Sequence, residues 1–454
     1  MTQVEEKSQA AGYRWRWAAL AVLLVAEAMN LLDATIVQVA APLIHTELGG
    51  RESDIQWFSA AYTLPFAGLL ITGGRLGDIV GRKRLFRIGM IGFLLGSLTC
   101  ALAPGVGVLI AARAVQGAAA ALVIPQTIGL IRAMFDQAEL PKALGSIGPV
   151  MGLAGISGPL LGGLLTHADL FGSSWRAVFA VNLPLGLAVL LATPLLLEDR
   201  SPLRLRPDLA GSALLVIATV LIVYPLIQSR LWILLPVGLL VAAAWLLQQR
   251  RRNHTGRTPL IEFSLFENRG FAAALLTSTL FFAVLTGATL VIVLYLQVGL
   301  HQGVLHASLI LLPWSTASGL ASWLAGSRLI PRYGTTRIMF TGLAIFATGL
   351  LLIIAGLQLS VALGIAGLGA GLFTTPFFTA ALHRVRPTET GSAAGLLNAV
   401  QQLGGTIGVA LLGTIFFHHL SPAHPKAAAE SAFWIALILV AAAATSAAFM
   451  RRRD

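Results

Sequence analysis

The stretch GRLGDIVGRKR at residues 74–84 decides the fold of this chain, because a related stretch, SRLIPRYGTTR, occurs at residues 327–337. The two stretches align when Gly81 is set against Gly334. Three further positions then carry the same residue in both stretches: Arg75 and Arg328, Leu76 and Leu329, and Arg84 and Arg337. Each stretch separates two long apolar segments at the same place in its part of the chain. The repeat therefore predicts a chain built from two related halves.

The composition places these halves in a lipid bilayer. Of the 454 residues, 56% are hydrophobic and 11% are charged, whereas a soluble domain carries about 25% charged residues. Too little polar surface would remain to cover a soluble core of this size. The single cysteine, Cys100, cannot form an intrachain disulfide. A soluble enzyme, a disordered protein and a secreted disulfide scaffold are therefore excluded.

Apolar runs of about 20 residues, the length that a membrane-spanning helix needs, occur fourteen times. They cover residues 17–43, 54–74, 86–104, 107–131, 143–166, 175–197, 208–228, 231–249, 271–299, 304–330, 337–356, 359–382, 391–417 and 430–450. The least distinct break separates the seventh and eighth runs. We predict two halves of six spans each, spans 1–6 and 9–14, with spans 7 and 8 inserted between them.

The distribution of basic residues predicts the orientation. If both termini are cytoplasmic, 26 of the 31 lysine and arginine residues lie in cytoplasmic segments, as the positive-inside rule requires. The net charge of +12 then reports orientation and does not indicate a nucleic-acid partner. The predicted organisation is a first six-helix bundle at 1–200, an inserted pair at 201–250, a cytoplasmic connector at 251–270 and a second six-helix bundle at 271–454.

Four stretches carry a resemblance to a known family: LLDATIVQVAAPLI (31–44), GRLGDIVGRKR (74–84), LIAARAVQGAAAALVIPQ (109–126) and GPVMGLAGISGPLLGG (148–163). The chain resembles the fourteen-helix drug–proton antiporter branch of the major facilitator superfamily. The resemblance implies the all-α major facilitator fold, a multi-pass protein of the plasma (inner) membrane, and a monomer. The chain departs from the pattern at Ile79, where the loop often has a basic residue, and at Pro331, where the second loop lacks the acidic one.

Three charged residues lie well inside the predicted spans: Glu27, Asp33 and Arg113. Charge at the bilayer centre costs at least about 2.5–3.5 kcal/mol, so each residue needs a reason to be there. At 1.5 Å per residue, Asp33 and Arg113 both lie roughly 8–9 Å from the outer surface, and Glu27 lies near the midplane. Because their depths agree, we expect Asp33 and Arg113 to pair.

These three residues form the predicted proton-coupling site. Arg113 would keep Asp33 ionised when the site is dry, and a change in water access or in the distance to Arg113 would let Asp33 take up and release a proton. A cationic substrate could compete for the same negative charge, and Glu27 is placed to contact it in a central cavity. The alternative is a buried ion pair that only fixes helix register.

Two further motifs receive roles from the resemblance. Residues Gly74, Gly77, Asp78, Gly81, Arg82 and Lys83 would form a cytoplasmic gating loop, in which Asp78 contacts a helix end and stabilises the outward-open state. The alternative role of its basic residues is to set topology. Residues Gly158, Pro159, Gly162 and Gly163 of the antiporter motif point to export, and the alternative role for them is close helix packing.

Polar and aromatic residues on several spans are candidates for the substrate-binding surface. They are Glu27, Asn30, Gln38, Trp57, Tyr62, Tyr295, Trp314, Asn398 and Gln401; packing or lipid contact is the alternative for the aromatic ones. The chain has no phosphate-binding loop of the GxxxxGK type, so ATP is not expected to drive it. No cofactor and no metal site are expected, and protons would be the coupling ion.

The leading hypothesis is a non-enzymatic secondary exporter. It would move small, lipophilic, cationic or amphipathic compounds outward by alternating access, driven by proton entry. Its partners would be a small-molecule substrate and the lipid bilayer. A dedicated exporter of one endogenous metabolite, such as an antibiotic or an amino-acid derivative, and a transport-inactive membrane receptor are the alternatives.

Overall fold

The computed structural model describes residues 13–198, 208–255, 259–267, 269–383, 385–386, 389–421 and 423–450. Within these ranges the chain is helical and contains no strand. Its α-helices are α1 (Arg16–Leu48), α2 (Asp54–Val80), α3 (Arg82–Ala101), α4 (Val106–Met134), α5 (Leu140–Gly145), α6 (Ile147–Ala168), α7 (Ala177–Ala180), α8 (Asn182–Ala192), α9 (Leu209–Gln228), α10 (Leu234–His254), α11 (Arg269–Leu294), α12 (Val304–Leu324), α13 (Ile330–Tyr333), α14 (Thr335–Ile354), α15 (Leu359–Leu382), α16 (Thr390–His419) and α17 (Pro425–Phe449).

Twelve helices among the described residues are long and apolar enough to cross a membrane. They include α5 and α6 taken as one span, and they confirm an all-α, multi-pass membrane protein. The predicted second and eighth spans, α2 and α10, are also observed as long helices, but they do not meet the same criterion of apolarity. Helix α2 contains small and polar residues and is packed between other helices. The count of fourteen spans and the cytoplasmic position of both termini stay predictions.

The break between the seventh and eighth predicted spans is a sharp turn. Helix α9 ends at Gln228, and both Ser229 and Leu231 adopt positive φ angles, 50° and 53°. Non-glycine residues rarely take this conformation, and it reverses the chain before α10 begins. The predicted boundary at residues 200–201 lies outside the described residues, as do parts of the connector.

The repeated glycine of the two loops has the same role in both halves. Gly81 has φ 107° and separates α2 from α3, and Gly334 has φ 83° and separates α13 from α14. An L-residue with a side chain is strained at these angles, but glycine is not. The alignment of the two stretches therefore matches a shared backbone turn.

The two halves, α1–α8 and α11–α17, meet mainly where α6 packs against α12 and where α2 packs against α16. Hydrogen bonds join the halves at mid-depth and towards the predicted outer ends. They run from Gln38 Nε2 to Thr286 O (2.9 Å), from Gln297 Nε2 to Val39 O (2.8 Å), and between the hydroxyls of Thr63 and Thr406 (2.6 Å). Helix α9 of the inserted pair packs on both α2 and α16 and so covers one seam between the halves.

Candidate functional site

The site in the first half is built around a buried ion pair between α1 and α4. Arg113 Nη1 lies 2.5 Å from Asp33 Oδ2, and the side chains of Asp33 and Arg113 are 0% and 1% exposed. A charged pair without water is tolerated only when both groups have partners. The structure therefore brings together the two residues whose matching depths were noted in the sequence.

Three neutral side chains complete the surroundings of Asp33. Gln116 Nε2 and Asn182 Nδ2 donate hydrogen bonds to Asp33 Oδ1, at 3.0 and 2.9 Å. The same two nitrogens also donate to Ser97 Oγ, at 2.7 and 3.1 Å. The sequence reasoning missed all three residues. Gln116 follows Arg113 by three residues on one helix face, and Asn182 is an amide in an otherwise apolar span, so weak signals existed for both.

Arg113 is held by more than its carboxylate. Its Nε donates to the carbonyl oxygen of Phe58 at 3.0 Å, and Nη1 donates to Gln116 Oε1 at 2.8 Å. The guanidinium also lies 4.3 Å from the centre of the Tyr62 ring, a cation–π distance. These contacts tie α4 to α2 as well as to α1, so the arginine is fixed in one position.

Glu27 lies on α1, six residues before Asp33, and is 9% exposed. It lies beside the Thr127 hydroxyl of α4. Among the residues that the structure describes, no basic side chain forms an ion pair with it. One turn away, Asn30 Nδ2 donates to Tyr62 Oη at 2.5 Å. Glu27 is therefore a buried acidic group next to a polar cluster and without a cation of its own.

The other candidate substrate residues are more dispersed. Gln38 is used in the contact with Thr286 between the halves, and Trp57 packs against Tyr224 of the inserted pair, with ring centres 5.9 Å apart. Trp314 is buried beside Phe346, and Tyr295 is half-buried at the end of α11. On α16, Asn398 is exposed and Gln401 is half-buried. The structure gathers only Glu27, Asn30 and Tyr62 of these candidates near the ion pair.

The predicted gating loop is mostly helical: residues 74–80 end α2, Gly81 forms the turn, and Arg82 and Lys83 begin α3. Asp78 accepts hydrogen bonds from Arg82 Nη2 (2.8 Å) and Nε (3.1 Å), so in this conformation its described partner lies in its own loop. Lys83 Nζ donates to the carbonyl oxygens of Leu196 (2.5 Å) and Pro194 (3.2 Å). Lys83 thus contacts a helix end of the first half. Gly77 packs against Gln126 of α4, and Gly74 lies near Pro125.

The glycines of the antiporter motif allow α6 to approach its neighbours closely. A Cβ atom at Gly158 would meet the Thr35 side chain of α1, and one at Gly162 would lie 3.3 Å from Ile36. At Gly163 it would meet Ser308 and Leu305 of α12, across the interface between the halves. Pro159, inside the helix, is buried and lacks the N–H that a regular helix would use.

Alanine substitutions within α6 should distinguish the effect of close packing on stability from the effect of helix propensity. We expect Gly158→Ala to lower the free energy of unfolding by about 1–3 kcal/mol, because the new methyl group overpacks against Thr35. Gly152→Ala is the matched control, because nothing lies within 4 Å of its Cβ position; it should raise stability by up to about 1 kcal/mol. Thermal unfolding in detergent measures both effects. Equal shifts for the two variants would contradict the packing argument.

A helical membrane protein with two repeated bundles and a buried acid–base pair belongs to the class of solute transporters by fold. The family model of the Major Facilitator Superfamily matches residues 23–408 and 307–454. The chain belongs to the major facilitator superfamily. It is therefore a multi-pass transporter of the plasma membrane.

Relatives and solved structures agree with this assignment. The chain is 42% identical to the "Probable actinorhodin transporter" of Streptomyces coelicolor, over 89% of this chain and 73% of that protein. It is 34% identical to the "Multidrug resistance protein Stp" of Mycobacterium tuberculosis, over 87% and 74%. The crystal structure of a bacterial homologue of the human lysosomal transporter Spinster, inward-facing and unoccupied, superposes with a TM-score of 0.68 at 17% identity, over 96% of each chain. This last likeness concerns the fold alone.

Proposed function

We propose that this transporter is a proton-coupled antiporter that exports small, lipophilic cations by alternating access. The observation that carries the proposal is the pairing of Asp33 with Arg113 in a site closed to solvent, together with Glu27 nearby, which has no ion-pair partner among the described residues. Titratable groups inside a membrane are rare and generally mark ion or substrate pathways. Among the described spans, the second half supplies no comparable buried carboxylate, so the coupling is assigned to the first half.

The proposed cycle starts from the conformation of the structure, in which the outer side of the site is closed. In this conformation Arg113 and two amides donate hydrogen bonds to Asp33, which favours the ionised form against the cost of burial. A movement of the halves that withdraws Arg113 weakens this stabilisation, and water from the outside then supplies the proton that Asp33 binds. Return to a state open to the cytoplasm releases the proton. Substrate cation and proton then alternate because each neutralises part of the negative charge that Glu27 and Asp33 place on α1.

The conformation supports this direction of movement. With the predicted orientation, the hydrogen bonds from Gln38 to Thr286 and from Gln297 to Val39 close the outer side. We infer an inward-facing state from which the outer contacts must break. The rocking of one bundle against the other around a central site is the general mechanism of such repeat-built transporters.

Two relatives favour different ranges of substrates. The relative named as an actinorhodin transporter, 42% identical, favours an exporter dedicated to one metabolite. The relative named as a multidrug resistance protein, 34% identical, favours broad export. Glu27 fits either proposal, because it selects for positive charge and not for one shape.

Everted membrane vesicles test the proposed function. Uptake of tetraphenylphosphonium should follow acidification of the vesicle lumen and collapse when an uncoupler is added. Uptake that persists with the uncoupler but stops when a sodium gradient is removed would overturn proton coupling. Absence of uptake of any lipophilic cation, with a lumenal acid gradient present, would overturn the cationic substrate class.

The role of Glu27 gives a more specific prediction. Glu27→Gln should reduce uptake of tetraphenylphosphonium at least about tenfold, because a buried ion pair with the cation is lost, while binding of a neutral lipophilic substrate is retained. Glu52→Gln is the control, because it removes the same charge from an exposed position. Equal uptake by the Glu27 variant and the wild type would exclude Glu27 from the substrate site.

A further inference from the structure

The hydrogen bonds around Asp33 form a closed arrangement of two donors and two acceptors. The amide nitrogens of Gln116 and Asn182 each donate once to Asp33 Oδ1 and once to Ser97 Oγ. Both hydrogens of each amide are therefore used. The other carboxylate oxygen, Oδ2, receives Arg113 Nη1. Every described group that contacts the carboxylate is a donor.

This arrangement suits an ionised carboxylate, and among the described residues it offers no acceptor for the O–H of a protonated one. A carboxylic acid adds an O–H donor, which needs an acceptor within hydrogen-bond distance. Buried polar hydrogens without an acceptor are strongly disfavoured. Protonation of Asp33 therefore requires that one neighbour exchange its donor for an acceptor.

The two amides differ in their freedom to make this exchange. The carbonyl oxygen of Gln116 accepts from Arg113 Nη1 at 2.8 Å and from the Cys100 thiol at 3.8 Å. Turning the Gln116 amide would place its NH2 group against a cation. No described residue donates to the carbonyl oxygen of Asn182 in the present state, and Asn182 is 2% exposed. Turning the Asn182 amide gives up the two hydrogen bonds of its NH2 group but, unlike turning Gln116, breaks none at its oxygen.

We propose that Asn182 is a positioning residue that switches with the protonation of Asp33. Its NH2 group faces the ionised carboxylate, and after a half-turn of the amide its carbonyl oxygen accepts a hydrogen bond from the O–H group of the acid. Ser97 follows the change, because a hydroxyl can donate as well as accept. This inference rests on the proposed proton-coupled function and names the residue that adapts the site to both protonation states.

Four charged or titratable groups lie near Asp33. Arg113 faces it from α4, Tyr62 from α2 and Cys100 from α3, and Glu27 lies on its own helix. From α8 the facing group is the neutral Asn182. Asn182 is neutral, so its replacement leaves the number of charges at the site unchanged.

A pair of variants with the same shape tests the switch. Asn182→Val can neither donate nor accept, whereas Asn182→Thr can do both. The measurement is the pH dependence of proton-driven tetraphenylphosphonium uptake in everted vesicles. Because the bond to the ionised form is the stronger one, we expect the profile of Asn182→Val to move towards higher pH by about one unit. The profile of Asn182→Thr should lie close to that of the wild type.

If Asn182→Val is poorly expressed in the membrane, a second pair of variants tests the same switch. Ser97→Ala should move the profile in the same direction, because it removes an acceptor that holds the Asn182 amide in its present orientation. Ser446→Ala is the matched control, since Ser446 is a buried serine that donates to the carbonyl oxygen of Ala273 in the second half. Coincident profiles for Ser97→Ala and Ser446→Ala would overturn the inference.

Asp33→Asn tests the proposed function, and the Asn182 variants test the switch, so the two can fail separately. If Asp33→Asn retains proton-driven uptake, the proposed function is wrong. If Asp33→Asn is inactive but Asn182→Val, Asn182→Thr and the wild type share one profile, only the switch is wrong. A uniform loss of rate in both Asn182 variants without a shift of the profile would indicate a structural role alone.

Discussion

Asp33→Asn is expected to reduce proton-driven efflux to background. The asparagine oxygen can still accept the hydrogen bond from Arg113, so the helices should remain assembled at reduced stability. The site nevertheless loses the group that carries the proton, and no other described carboxylate lies in contact with Arg113. Uptake into everted vesicles under a lumenal acid gradient measures the effect.

The matched control is a second buried aspartate. Asp208 caps α9, is 2% exposed, and pairs with Arg252 at 3.2 Å near one end of the inserted helices. Asn is an equally good residue at the start of a helix, so Asp208→Asn should preserve efflux. If both variants lost activity equally, loss of a buried charge in general would explain the result, and the coupling assignment would fail.

Arg113→Gln is expected to abolish transport and also to destabilise the protein. Breaking a buried ion pair by removing one partner costs about 3–5 kcal/mol, because the remaining charge is left uncompensated. The substitution also removes the bond to the Phe58 carbonyl oxygen and the contact with the Tyr62 ring. Thermal unfolding in detergent and vesicle uptake measure stability and activity separately.

The double variant Asp33→Asn/Arg113→Gln distinguishes proton coupling from a purely structural pair. With both charges removed, no uncompensated charge is buried, so part of the lost stability should return. The double-mutant cycle then gives the coupling energy between the two side chains. Efflux should remain absent if Asp33 carries the proton. Recovery of both stability and efflux in the double variant would show that the pair only fixes helix register.

Local sequence features anticipated several parts of the molecule. The repeated stretches predicted two related halves, and the structure gives both stretches a glycine with a positive φ angle, Gly81 and Gly334. The sequence placed a boundary between two spans at residues 228–231, where the structure has a turn with two positive φ angles. Estimates of depth placed Asp33 and Arg113 at one level because helix rise is constant. Each of these inferences depends on spacing along one segment.

The side chains that surround Asp33 beyond Arg113, directly or through Gln116 and Asn182, could not be predicted from spacing along one segment. Ser97 and Asn182 come from α3 and α8, and residues in an apolar span show no periodicity that tells which face meets which neighbour. The same limit explains why the contacts of Trp57 and Gln38 could not be predicted. Both were candidates for substrate contact, but Trp57 packs against Tyr224 of the inserted pair and Gln38 donates a hydrogen bond to Thr286 of the opposite half. Their surroundings depend on how the bundles pack.

The sequence by itself determined that this chain is a two-half membrane protein, where its helices turn, and which charged residues enter the membrane. These properties follow from apolar length, glycine conformation and the cost of buried charge, all of which act locally. The tertiary structure alone decided that Asp33 is enclosed by donors from two other helices, α4 and α8, and that Glu27 forms no ion pair with a described basic residue. Those properties depend on the rotation and approach of separate helices, which side-chain packing sets across long distances in sequence.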